Sequence, residues 1–510
     1  MERTFNIIPV LFLTVLSASA EVRLGSPFSC GAVLQRDRPV PVWGWTSPGE
    51  TVTVRFADQV KSAQATDSGK WSVVLDSMQA SFEGRTMTVS TAAERISIDD
   101  ILVGEVWFAS GQSNMECPIK GPSPRFRDGQ GRLAIAMTRE PNVRFFKVKK
   151  AWDVEPLETT PYGWYRFTAE DIAKINDRPS LSAVAFYYAL DIFHGAKVPV
   201  GIIEASVGGT NIDAWTPRSG LLSRTDLKDV ADYQIKKDWV GARDAKGAIN
   251  GGSQQPTVLW NAMVAPFVPY AIRGLIWYQG CHNASEAQRY CSKMHALYQG
   301  WSKEFLNPDL ALYFVELAPY NVSWFDIQQA QHRFAEEEKN AAIAISCDVG
   351  NPNDVHHNEK RTVAHRLAVH ALKRLYGFSS VEDESPRPKV ATLKGEIVTL
   401  TFDHAQKLYF YNIPRARPEG FELAGPDGLW HPAEVVNAEA GKTRAGGIYY
   451  PGLLKGGARH LELRSATVPH PVKLRYLHEK PWTGCVYNES DLPLGSFQMD
   501  ISQVDVQEVK

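Results

Sequence analysis

Between about residues 100 and 376, short apolar runs alternate with amphipathic segments, and no other feature limits the fold of this chain so severely. The runs 103–109, 143–148, 198–205, 272–278, 310–316 and 341–347 have the length and β-rich content of strands buried on both faces. Segments 181–193, 287–305, 324–337 and 360–376 instead repeat apolar residues at helical spacing. In the second of these, Tyr290, Met294, Leu297, Tyr298, Trp301 and Phe305 share one face. Strands alternating with helices predict an α/β domain, in which a parallel sheet is covered by helices on both faces.

The texture on either side is different. Residues 21–99 alternate by twos, as in Val52-Thr53-Val54-Arg55-Phe56, with turns such as Ser47-Pro48-Gly49 between the runs. After Gly377 the same alternation returns, for example in Ile397-Val398-Thr399-Leu400. The chain therefore divides into an amino-terminal β domain (21–99), an α/β domain (100–377) and a carboxyl-terminal β domain (378–510), both β domains sandwich-like. Trp43, Trp45 and Trp71 read as core residues rather than a platform for sugar, and the polar stretch 232–255 as a surface excursion. Residues 1–20 read as an export signal. Arg3 precedes an apolar stretch from Ile7 to Leu16, and Ala18-Ser19-Ala20 supplies the small-residue cleavage site. That stretch is short of the roughly 20 apolar residues a membrane span needs. The mature protein is thus expected to begin near Glu21 and to work outside the cytoplasm without a membrane span. A formal charge of -2 offers no basic field for phosphates, which argues against a nucleic-acid partner. Six scattered cysteines with no C-x-x-C read mainly as isolated thiols, not as a disulfide framework or a metal site.

Four loops follow predicted strands of the α/β domain. The first, Gly111-Gln112-Ser113-Asn114, holds a serine where an open sheet presents its ligands. Ser113 reads equally as a nucleophile or as the cap of the next helix, and the surrounding residues are not those of a G-x-S-x-G elbow. The second, Ser206-Val207-Gly208-Gly209-Thr210-Asn211, has paired glycines that let backbone N–H groups approach an anion. The third, Gln279-Gly280-Cys281-His282-Asn283, offers a carboxamide donor. In the fourth, Asp354 and His356 are spaced so that a carboxylate can hold an imidazole's tautomer and leave its other nitrogen for a serine. Any one loop is ordinary. Together they supply nucleophile, base, orienting acid and oxyanion donors.

The chain resembles the bacterial sialate O-acetylesterase family, carbohydrate esterases whose catalytic domain is of the SGNH-hydrolase type. The resemblance covers nearly the whole mature chain. It is carried by Val103-Gly104-Glu105-Val106-Trp107 leading into Gly111-Gln112-Ser113-Asn114-Met115-Glu116, and by Trp277-Tyr278-Gln279-Gly280. Asp354-Val355-His356 followed by Asn358-Glu359-Lys360 extends it. The resemblance implies Ser113 as nucleophile, His356 as general base and acid, and Asp354 as its orienting carboxylate. It implies an oxyanion hole of Ser113 N–H, Gly209 N–H and the Gln279 side chain, with Gln112, Asn114 and Asn283 lining the site. It implies neither metal nor cofactor. Two positions depart from the family pattern. Cys281-His282 stand where Glu-Ser is usual, and His357 replaces a proline, so that two histidines adjoin. The activity implied is removal of O-acetyl groups from sialate or other acetylated carbohydrate, acetylxylan included. The rival from another class is a non-catalytic glycan-binding protein.

Overall fold

Trp107 and Phe108 lie in a run without a polar face, and in the computed structural model this run is the central strand of the main sheet. The structure describes residues 21–121, 123, 126–174, 181–233, 251–410, 418–439, 452–478 and 484–503. The expected export signal and most of the polar stretch 232–255 lie outside the described residues. Adjacent side chains of a strand point to opposite faces, and here each face meets a helix. Trp107 packs edge-on to Tyr188 of helix Ala183–Ala196 at 5.2 Å, and Phe108 to Trp301 of helix Ala287–Glu304 at 5.0 Å. Burying a side chain the size of Phe108 contributes about 1.5–3 kcal/mol, so a polar residue at either position would open the layer.

Across the sheet the order is Tyr165–Thr168, Arg139–Lys147, Val200–Ser206, Arg95–Gly111, Gly274–Tyr278, Ala311–Val315, Ala341–Ala344. All pairings from Arg139–Lys147 onward are parallel, and Tyr165–Thr168 is an antiparallel edge. The α/β architecture read from the alternation is therefore the one observed. That edge strand had no signal of its own, because four residues cannot display a period. Without the first two strands, the remaining five follow the order 2-1-3-4-5, whose switch point adjoins the first strand in the chain. Ser206, Gly111 and Tyr278 stand in register, so the turns that follow them lie side by side at one edge.

The strand Arg95–Gly111 is 17 residues long and serves two units. Its first part pairs antiparallel with Ser81–Ser90, and its last part lies in the parallel sheet. The boundary expected between residues 99 and 100 thus falls inside a strand. One apolar core runs from Val22, through the buried Trp43, Trp45 and Trp71, to Ala371. The amino-terminal strands alternate as read: Thr51–Phe56 buries Val52, Val54 and Phe56 and exposes Thr51 and Arg55. Small sheets built from Arg387–Lys394 onward enclose a second core, which Ile345 and Cys347 join.

Candidate active site

The central strand ends at Gly111 with a φ of 141°, and a Cβ there would lie 2.3 Å from the Tyr278 carbonyl oxygen. Glycine alone permits that approach. Gln112 N–H donates to the same carbonyl at 3.0 Å, and Gln112 Oε1 accepts from Gly280 N–H at 3.2 Å. These bonds aim the next residue away from the sheet. Ser113 opens the short helix Ser113–Glu116 and is partly exposed. Gln112, not Ser113, occupies the N-cap position, and no side chain caps this helix. The reading of Ser113 as a cap is therefore not what the fold shows. Among the described residues neither its Oγ nor its N–H has a hydrogen-bond partner.

The paired-glycine turn lies directly against it. A Cβ on Gly208 would sit 3.3 Å from Ser113 Cβ, and Gly208 N–H donates to Glu116 Oε2 at 2.7 Å. Glu116 is held in turn by Lys150. Gly209 follows with a φ of 70° that favours glycine, and its N–H also has no partner among the described residues. Two free backbone donors, on Ser113 and Gly209, thus stand on adjoining turns.

Asp354 and His356 come from the loop between Ala341–Ala344 and helix Lys360–Tyr376. Arg366 pins the start of that loop, with two bonds of 2.7 Å to Asp348 and one of 2.8 Å to Ile345 O. Asp354 Oδ1 accepts from His356 N–H at 2.9 Å and lies 3.8 Å from His356 Nδ1. Asn114 joins the serine turn to this loop. Its Nδ2 donates to Val355 O at 3.0 Å, and its Oδ1 accepts from Lys360 Nζ at 2.6 Å. No hydrogen bond of 3.5 Å or less links Ser113 Oγ to His356 among the described residues, a looseness common before substrate closes such a pair.

The geometry separates the two adjoining histidines. His356 is partly exposed, edge-on to Phe126 at 4.9 Å. Burial and the Lys360 charge hold its imidazole below the usual histidine range, against the opposing pull of Asp354 and Glu116. His357 is buried with Nε2 hydrogen-bonded to Tyr278 OH at 2.9 Å, and burial pushes its pKa well down. Only His356 has both a carboxylate partner and access to solvent.

The third loop differs from expectation. Gln279 is fully buried, and its Nε2 donates to Thr210 O at 3.0 Å and to Asn283 Oδ1 at 2.7 Å. Its Oε1 accepts from Tyr290 OH at 2.7 Å. A primary amide has two N–H donors, so none remains for an oxyanion in this arrangement. Asn283 is engaged as well: Oδ1 accepts from Ile212 N–H at 3.0 Å and Nδ2 donates one N–H to Glu286 at 3.1 Å. Gln112 and Asn114 are buried as well. These residues, expected to line the cleft, lie under it and tie its turns together. Cys281 follows; burial pushes its thiol up to about 12, so it is protonated at neutral pH, and its neighbour His282 is exposed.

Lys360 entered the sequence reading only as part of a matching block, with no role assigned to its side chain. It is fully buried, its ammonium lies 5.6 Å from the Tyr278 ring centroid, and burial lowers its pKa to about 8. A lysine at the start of a helix ordinarily reads as solvated, so no local signal would have found it. Among the described residues, no cluster of His, Cys, Asp and Glu with metal-binding spacing includes Ser113, Asp354 or His356.

Comparison with known proteins gives the family. The family described as "Carbohydrate esterase, sialic acid-specific acetylesterase" matches residues 103–373, more than half of the chain and all four loops. The sialate O-acetylesterase of Rattus norvegicus is 26% identical over 453 residues, covering 79% of this chain and 83% of the relative. That of Homo sapiens is 26% identical over 438 residues, covering 79% and 80%. The crystal structure of a carbohydrate acetylesterase from Xanthomonas citri superposes with a TM-score of 0.77 at 29% identity, covering 94% of this chain and 100% of that one.

Proposed function

Because the chain belongs to the sialic acid-specific acetylesterase family of carbohydrate esterases and is a carbohydrate O-acetylesterase, we propose that it cleaves its ester through an acetyl-Ser113 intermediate. Ser113 Oγ attacks the acetyl carbonyl while His356 Nε2 takes its proton. Asp354 orients the ring through Nδ1, and the 3.8 Å gap between them closes to a hydrogen bond as the imidazolium forms. The oxyanion accepts from Ser113 N–H and Gly209 N–H. Collapse of the tetrahedral intermediate expels the sugar oxygen, which takes the proton from His356. Water, deprotonated by the same histidine, then releases acetate and frees the serine. Gln279 serves by holding Thr210, and with it the Gly209 turn, in place.

The observation that carries this reading is Asn114, whose amide clasps the serine turn to the histidine loop. The substrate is an O-acetylated glycan. The curated relatives are named for sialate, which favours O-acetyl sialic acid over acetylated xylan. The enzyme acts outside the cytoplasm, after a leader ending near Ala20 is removed; no described helix is long and apolar enough to cross a membrane. The division that places a carboxyl-terminal domain at 378–510 is supported by the second core, to which Ile345 and Cys347 of the preceding domain also contribute. The test is acetate release from O-acetylated sialosides and from acetylated xylan, with wild type and Ser113→Ala side by side. Release that depends on Ser113, together with labelling of Ser113 by an organophosphate, is expected. Equal release by Ser113→Ala would refute the mechanism.

A further inference from the structure

Helix Ala287–Glu304 carries Cys291 and His295 one turn apart, so both side chains lie on the same face. That face packs on helix Phe325–Glu337, where His295 stands edge-on to Phe334 at 4.8 Å. Glu337, the last residue of the second helix, closes the group. His295 Nε2 is 2.8 Å and Cys291 Sγ 3.6 Å from Glu337 Oε2, and the three donor atoms all lie within 4.8 Å of one another. Cys291 and His295 are buried and Glu337 is exposed, so the group has a solvated entrance. None of the three belongs to the esterase machinery described above.

We propose that Cys291, His295 and Glu337 form a binding site for a divalent transition-metal ion of the zinc class. One thiolate, one imidazole and one carboxylate, with a fourth position left for water, is a donor set that suits zinc. Bond lengths of about 2.0–2.3 Å to such donors put neighbouring ligand atoms about 3.3–3.6 Å apart in a tetrahedron. The 3.6 Å between Cys291 Sγ and Glu337 Oε2 already matches, and the exposed Glu337 side chain can open the 2.8 Å to His295 Nε2. Binding breaks the Cys291 S–H bond and releases its proton to water, while His295 binds through Nε2 as the neutral Nδ1–H tautomer. Thiolate and carboxylate then cancel the charge of the ion. Arg333 opposes it. This side chain acts on both Cys291 and Glu337, and it also lines a neighbouring cavity of about 600 Å³ into which it can turn. The ion would clamp the two helices together beside Tyr290, which holds Gln279.

The test is titration of chelator-treated protein with Zn²⁺ alone against a chromophoric competitor, with Co²⁺ as the spectroscopic probe. One Zn²⁺ per chain is expected, together with a thiolate-to-Co²⁺ charge-transfer band that Cys291→Ser abolishes. Glu337→Gln, an exposed change that leaves the packing intact, should weaken Zn²⁺ at least about tenfold, since it removes one of three protein ligands. Arg333→Ala should tighten it. Failure of the wild type to bind, survival of the Co²⁺ band in Cys291→Ser, or unchanged affinity in Glu337→Gln would each overturn the site. Should Cys291→Ser not fold, the Glu337→Gln comparison decides alone.

Discussion

Replacing Lys360 by methionine removes a buried charge and one donor, and the two losses act in opposite directions. Burial holds the Lys360 ammonium at about 8 against the ordinary 10.5. At about 1.4 kcal/mol per pH unit, keeping that charge in the folded protein costs about 3 kcal/mol at neutral pH. The folded protein gives up the proton near pH 8, the unfolded chain near 10.5. Between those values the unfolded chain binds more protons, so this residue makes stability rise with pH there; below pH 8 the cost is complete and constant. Lys360→Met abolishes the cost but leaves Asn114 Oδ1 without its 2.6 Å donor, a loss of about 1–3 kcal/mol for a buried acceptor. Stability at pH 7 should therefore be unchanged or up to about 2 kcal/mol higher. The assay is urea unfolding of both proteins at intervals from pH 7 to 10.5, read as the difference between them. The wild type should gain on the variant as pH rises through that window. A difference independent of pH, or a loss above about 3 kcal/mol at pH 7, would refute the assignment of a costly buried ammonium. Activity should respond separately. Asn114 loses its anchor, so kcat falls, and loss of the Lys360 charge raises the His356 pKa, moving the acid limb of the rate profile to higher pH.

Ser113→Ala and His356→Ala should each lower kcat by several orders of magnitude, and the double variant should lose little more, because the residues act as one unit; near-normal activity in His356→Ala with loss in His357→Ala would reassign the base. Gln279→Ala should lower both kcat and stability, the latter by about 1–3 kcal/mol, since Thr210 O loses its donor while Tyr290 OH keeps only the Gln279 backbone carbonyl. A loss of about 10²–10³ in kcat with urea stability unchanged would mean that Gln279 donates directly to the oxyanion. Cys281→Ser should retain most hydrolysis of p-nitrophenyl acetate, because burial keeps the thiol protonated; loss of activity with an unchanged circular dichroism spectrum would argue for a thiol mechanism.

What the sequence determined by itself is local and periodic. Six apolar runs alternating with four segments of helical spacing were enough for an α/β sheet covered on both faces, and they placed Ser113, Gly209, Gln279 and His356 after strands of one sheet. Strand Arg95–Gly111 shows where that logic stops: alternation marks a strand, but nothing in it says that one strand will serve two sheets and merge their cores. The choice between His356 and His357 also waited for the fold, because it turns on which ring meets Tyr278 and which meets solvent. Gln279 and Lys360 make the same point in hydrogen bonds. The amide of Gln279 donates to Thr210, 69 residues away, and the ammonium of Lys360 to Asn114, 246 residues away. Periodicity reports which face of an element is buried. Which donor a buried polar group finds depends on residues brought together only when the sheet assembles, and that is why the strand ends were legible and the wiring beneath them was not.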